Sequence, residues 1–187
     1  MLQKIISPPL MIESCYWKEE LARIAKSLRP VRNPPRWTER LHCVVERDLM
    51  VGFFMLRRLI ELNKVSSAVK DFRMTVFSCP NSGKPVTLLN RGDVDELYHM
   101  DKERKEIKKP LYLSNQFIHA YLSFLARDET RNWRSIYIVS DFDRNNCIWR
   151  IPTAVVQELF LLASQDYPHS ASYVFDAKKG DYTISVS

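Results

Sequence analysis

The chain has 187 residues, of which 45% are hydrophobic and 27% charged, with a formal net charge of +6 and a pI near 9.2. That length suits a single domain, 1–187, with apolar content enough for a folded core rather than a disordered chain. No apolar run approaches the ~18 residues that a membrane span needs. The four glycines form no G-x-G-x-x-G or G-x-x-x-x-G-K pattern, so dinucleotide and P-loop folds lack their phosphate cradle.

Residues 1–12 read as an extended lead-in, stiffened by Pro8 and Pro9. Those prolines and Glu13 interrupt any signal-like apolar core. Cys15, Cys43, Cys79 and Cys147 are spread along the chain without a C-x-x-C pair, which points to reduced thiols and a cytoplasmic location. A first helix is expected over 14–29, with Leu21, Ile24, Ala25 and Leu28 as its stripe. Glu19 and Glu20 near its start and Lys26 and Arg29 near its end suit the helix dipole. Pro30, Pro34 and Pro35 stop it inside a basic linker, RPVRNPPR. Thr38 caps a second helix over 39–62, whose Leu41, Val44, Val45, Leu49, Phe53, Leu56 and Ile60 recur at helical spacing. Gly52 in its middle costs ~1 kcal/mol relative to alanine, which argues for close packing against another helix.

The period then shortens to two. Residues 73–79 read as a strand, Pro80–Gly83 as a turn and 84–89 as a returning strand. A short helix follows over 93–98, and 100–109 reads as a charged loop or exposed helix before Pro110. Leu111 to Leu125 is the most apolar long stretch and reads as a helix over 111–126. Residues 135–140 and 147–151 flank DFDRNN as a hairpin. Pro152 opens a helix over 153–165, and the tail is a hairpin around Lys179-Gly180. The sum is an α+β fold, a helical core packed with antiparallel β-hairpins. The absence of alternating strand–helix units argues against a doubly wound sheet.

Asn115 and His119 are four apart and share a helical face with Leu111, Ile118 and Leu122. Polar groups on an apolar stripe need partners or a ligand, because unpaired burial is costly. In a groove, His119 would exchange a proton near neutral pH. As a plain core residue it would be satisfied by a backbone carbonyl, with Asn115 bridging helices. Asn115-x-x-x-His119 resembles the end of the R-N-x-x-x-H signature of the HEPN superfamily, helical-bundle proteins of bacterial toxins and antiviral systems. Many of these are metal-independent ribonucleases, and others are inactive binding modules. The resemblance covers about three helices, and the arginine position holds Ser114 here. It implies His119 as general acid or base, with the missing cation supplied by Arg57 or Arg58 from the second helix.

Other residues carry weaker chemistry. Asp141 and Asp143 on a strand would face one side and share a divalent cation, but an Asp/Asn turn accounts for them without a metal. Arg29, Arg32, Arg36 and Arg40 interleave with prolines and Trp37, a pattern that suits phosphate contacts and base stacking on single-stranded nucleic acid. The same pattern suits a solvated linker anchored to the core by Trp37. His42, Cys43, His99 and His169 have no ligand spacing, and no G-x-S-x-G elbow is present.

Two functional readings follow. The preferred one is a non-catalytic binding or regulatory module with an RNA or protein partner, in a bacterial stress, mobile-element or defence system, with nucleic acid at Arg32, Arg36 and Trp37. The other is a metal-independent ribonuclease or toxin built on His119, Asn115 and Arg57 or Arg58. Neither needs a cofactor, and whether the chain is an enzyme stays open. A homodimer follows if the 111–126 stripe is wider than one core covers.

Overall fold

The computed structural model describes residues 14–178 and 180–186, so the lead-in expected over 1–12 lies outside the described residues. Helix α1 (Ser14–Ser27) buries Leu21, Ile24 and Ala25. Helix α2 (Glu39–Glu61) begins where the Thr38 hydroxyl accepts the Leu41 N–H at 3.1 Å, satisfying one of the donors that a helix start leaves open. Its face of Val45, Leu49, Gly52, Phe53, Leu56 and Leu59 is buried. Gly52 packs against Phe160 and Ile24, so α1, α2 and the later helix α6 (Thr153–Gln165) converge there, as the mid-helix glycine predicted. A short helix α3 (Ser67–Lys70) follows, capped by Ser66.

Five strands form one antiparallel sheet. They are β1 (Met74–Pro80), β2 (Arg104–Lys108), β3 (Ala120–Arg127), β4 (Trp133–Ser140) and β5 (Cys147–Pro152), in the order β2-β1-β5-β4-β3. Helix α4 (Val94–Leu97) and a 3-10 turn (Met100–Lys102) lie in the excursion between β1 and β2. Helix α5 (Pro110–Ile118) carries the chain from β2 at one edge to β3 at the other. The tail strands β6 (Ala171–Asp176) and β7 (Asp181–Val186) pair with each other as the expected hairpin.

The helices cover one face of the sheet. Met74, Val76, Ile136, Ile138, Trp149 and Ile151 rise from the strands to meet Leu21, Phe53, Leu56, Phe117, Leu159 and Phe160. Phe53 and Phe117 stack with centroids 3.9 Å apart. Each such side chain contributes roughly 1.5–3 kcal/mol by leaving water. On the other face a smaller cluster joins Cys79, Val139 and Ile148 to Val86, Leu97 and Tyr98 from the excursion. The Tyr98 hydroxyl donates to the Arg144 carbonyl at 2.7 Å, and burial pushes its pKa up to about 12.

The α+β class expected from the sequence is what forms, but three segments differ in detail. The helix expected over 111–126 ends at Ile118, and the rest is β3. Leu122, Phe124 and Ala126 lie opposite Val139, Tyr137 and Ser135, while Ser123 and Leu125 point the other way. Both sides of β3 are partly apolar, which imitates a helical stripe, and pairing with β4 settles the contest through ladder hydrogen bonds and burial. Residues 84–89 form no strand. Pro85 has no N–H, the Val86 N–H donates to Asn145 Oδ1 at 2.8 Å and the Thr87 N–H to Asn90 Oδ1 at 2.7 Å, so side chains replace a ladder. On its outer side β1 pairs instead with β2, inside the charged 100–109 segment, with Thr75 opposite Ile107 and Phe77 opposite Lys105. Its exposed charges suit an edge strand. Among the described residues no helix is long and apolar enough to cross a membrane.

Candidate nucleic-acid interface

The linker 30–38 is bolted down rather than loose. Pro34 is buried. The Val31 N–H donates to Asn132 Oδ1 at 2.9 Å, and the Val31 carbonyl accepts from Asn132 Nδ2 at 3.2 Å. Asn132 sits in the β3–β4 turn, where Asp128 Oδ1 accepts from the Asn132 N–H at 3.1 Å and from the Thr130 hydroxyl at 2.6 Å. The Thr130 bond leads the effects that hold the Asp128 carboxyl below its ordinary pKa. Arg131 in the same turn has φ +68°, a left-handed conformation that an L-residue adopts only under constraint. Arg127 Nη1 donates to the Pro35 carbonyl at 3.0 Å, and its guanidinium lies 4.2 Å over the Trp133 ring. Its Nε is buried with no hydrogen-bond partner among the described residues.

A cleft of about 320 Å³ opens between this latched linker, the end of α1, the start of α2 and the β3–β4 turn. Arg23, Lys26, Arg29, Arg127, Arg131 and Trp133 line it, and Asp48 is the one carboxylate among its lining residues. Asp48 is already engaged by Arg23 at 2.8 Å and Arg47 at 2.6 Å. Burial pushes its carboxyl up, but the hydrogen bonds from those two arginines outweigh burial and hold it below the ordinary value. Arg23 also binds Glu20 at 2.6 Å, and its bonds to Glu20 and Asp48 push its pKa up. Arg23 is therefore neutralised. Among the described residues no ion pair engages Lys26, Arg29, Arg32, Arg36, Arg40 or Arg131. Residues 23–40 hold six basic side chains against one carboxylate, Glu39.

The linker residues expected at a nucleic-acid surface sit in the segment that borders this cleft, though none of the three lines it. Arg32 and Arg36 are exposed, and Trp37 is 62% exposed. The anchoring expected of Trp37 falls to Pro34. Sequence reasoning missed Arg127, Arg131 and Trp133. The signal was there, since RDETRNWR interleaves arginine and tryptophan as the linker does, yet nothing in sequence brings two segments a hundred residues apart together.

The pair singled out on α5 faces water. Asn115 and His119 are exposed, whereas Leu113, Ser114, Gln116 and Phe117 turn inward. The inward polar role belongs to Gln116: its Oε1 accepts the Ser140 N–H at 3.0 Å and its Nε2 donates to Asp143 Oδ2 at 2.6 Å. His119 ends the helix, with its N–H donating to the Asn115 carbonyl at 3.0 Å and its ring edge-on to exposed Phe142. Arg57 and Arg58 are bound by Glu61 at 2.7 and 2.9 Å. Among the described residues no hydrogen bond or ion pair joins either arginine to Asn115 or His119.

Asp141 and Asp143 lie in the β4–β5 turn and not on a strand. Asp141 pairs with Arg144, while Asp143 accepts from Gln116 and from the Tyr112 hydroxyl at 3.1 Å. Among the described residues no group of three or more His, Cys, Asp or Glu side chains could hold a metal ion. No protein-family model, curated protein or solved structure matches this chain.

Proposed function

We propose that the chain is a non-catalytic binding module for single-stranded RNA, which runs along the linker 30–38 and dips into the adjoining cleft. The observation that carries this reading is the set of cations at the linker and cleft with no ion-pair partner among the described residues: Lys26, Arg29, Arg32, Arg36, Arg40 and Arg131. Cations left unpaired by their own protein are available to phosphates, and each phosphate neutralised on a single strand adds about −0.7 to the slope of log affinity against log salt. Trp37 offers an exposed ring on which a base stacks, worth ~1–3 kcal/mol. A cleft of about 320 Å³ admits a nucleotide, not a duplex. The bonds from Asn132 and Arg127 fix the linker before the ligand arrives, so little ordering is left to be done on binding. Such a module suits a bacterial stress, mobile-element or defence system and a reducing cytoplasm, where Cys43, Cys79 and Cys147 remain thiols.

The test is titration of labelled single-stranded RNA across a salt series, in chelator. Wild type binds without cleaving, and combining Arg32→Ala with Arg36→Ala flattens the salt slope by about 1.4, two phosphates' worth. An unchanged slope in the double variant, or no salt dependence in the wild type, refutes the reading. Chelator-resistant cleavage that disappears in His119→Ala would replace it with the ribonuclease one.

A further inference from the structure

One row of side chains crosses all five strands on the sheet face away from the helices. Lys105, Phe77, Arg150, Tyr137 and Phe124 lie directly opposite one another in turn, from β2 through β1, β5 and β4 to β3. The Arg150 guanidinium stands 4.0 Å over the Phe77 ring. Phe124 and Tyr137 stack at 4.6 Å with their planes 8° apart. Cross-strand pairs of this kind stiffen a sheet, and the β4–β3 end of the row, Tyr137 and Phe124, also floors a groove. The groove has a volume of about 650 Å³, and Val94, Met100, Leu122, Phe124 and Tyr137 line it together with the Asp95 carboxylate. That is within the size range of small-molecule sites, roughly 300–1,000 Å³.

The groove is electrically lopsided. Met100, Ala126 and Tyr137 also line a second cavity of about 320 Å³, whose walls carry Arg127, Arg134 and Arg150 with Glu103 as the one carboxylate among its lining residues. Glu103 is used up: it accepts from Arg150 Nε and Nη2, each at 2.7 Å. Those hydrogen bonds hold its carboxyl below the ordinary range. Arg134 is exposed and makes no ion pair among the described residues. Asp95 lines the apolar part and not the arginine end, so an anionic ligand is repelled from one end and drawn to the other.

We propose that this groove binds a small aromatic anion. Its ring lies against Phe124 and Tyr137, between Met100 and Leu122, and its acidic group meets Arg134. The site is independent of the RNA reading, since none of these contacts uses the linker or its cations. Two sources carry the required chemistry, an aryl carboxylate and a free nucleotide, and the experiment separates them.

The full chain is titrated with 1-anilinonaphthalene-8-sulfonate, a fluorescent aromatic sulfonate, and with N-phenyl-1-naphthylamine, its uncharged relative. The sulfonate binds at one site and more tightly than the neutral probe. Arg134→Ala, an exposed position whose loss leaves the fold in place, weakens the sulfonate ~tenfold, the size of one charge contact, and leaves the neutral probe unchanged. Phe124→Leu weakens both. Displacement of the sulfonate by 1-naphthoate identifies an aryl carboxylate site, and displacement by AMP a nucleotide site. Sulfonate affinity unchanged in Arg134→Ala, a neutral probe that binds as tightly as the sulfonate, or failure of both competitors would overturn the proposal.

Discussion

A Cβ added to Gly52 would lie 2.6 Å from Cε2 of Phe160 and 3.3 Å from Cδ1 of Ile24. Phe160 is fully buried and packs edge-on to Phe53 at 5.1 Å, so its ring has nowhere to retreat. Gly52→Ala therefore sets two effects against each other. The helix gains ~1 kcal/mol of propensity, and the overpacked contact costs ~1–3 kcal/mol. The contact wins, because the opposing atoms belong to a rigid and fully buried ring. Urea unfolding should show a net loss of up to ~2 kcal/mol; a stabilised alanine variant would mean that α2 and α6 are not held at this spacing.

Gln116 and His119 should separate cleanly by substitution. Gln116→Ala strands the buried Ser140 N–H and removes a donor from Asp143, a loss of ~1–3 kcal/mol for groups left unsatisfied. His119→Ala touches an exposed ring and should stay within about 0.5 kcal/mol of wild type. Thermal unfolding of the two variants side by side checks this, and equal losses would contradict the orientation of α5.

Asp48 gives a pH dependence of definite sign. Its folded pKa lies below its ordinary value of 3.8, so the stabilisation is present above that value. It is lost as pH falls through the folded value. Arg23 and Arg47 are half-exposed or more, and screening limits each pair to at most about 1 kcal/mol. Asp48→Asn should be less stable than wild type at pH 7, with the gap closing below about pH 4 and shrinking in high salt. A gap that widens on acidification would reverse the argument.

Trp37→Ala should weaken RNA binding by ~1–3 kcal/mol, the worth of one stacked base, while His119→Ala binds as wild type. The exposed Trp37 ring also supplies the readout, since RNA should quench its emission. Quenching that persists in Trp37→Ala would shift the stacking role to Trp133.

Much of the architecture was legible because local signals agreed with tertiary packing. Thr38, the stripe from Leu41 to Ile60, the DFDRNN turn and Pro152 each announced an element that formed. The misreadings came where two structures compete for one pattern. Leu122, Phe124 and Leu125 satisfy a helical stripe and a two-sided strand equally, and only β4 decides between them. Asn115 and His119 looked inward because their spacing was compared with Ile118 and Leu122. The stripe that packs is Leu113, Gln116 and Phe117, displaced around the helix. Half of the basic surface was visible as Arg29 and the linker's Arg32 and Arg36. The other half depended on Asn132 finding Val31, a meeting that no local pattern encodes.

That meeting has a consequence for the order in which the molecule becomes competent. Val31 and Asn132 are 101 residues apart, so joining them closes one of the chain's long loops, and contacts of such high contact order form late. A ribosome that has released α1 and α2 has already exposed the cationic linker, yet the turn that clamps it has not been synthesised. The nascent chain thus gains its organised cationic surface only after translation passes Asn132, and any product terminated upstream carries the charge without the clamp.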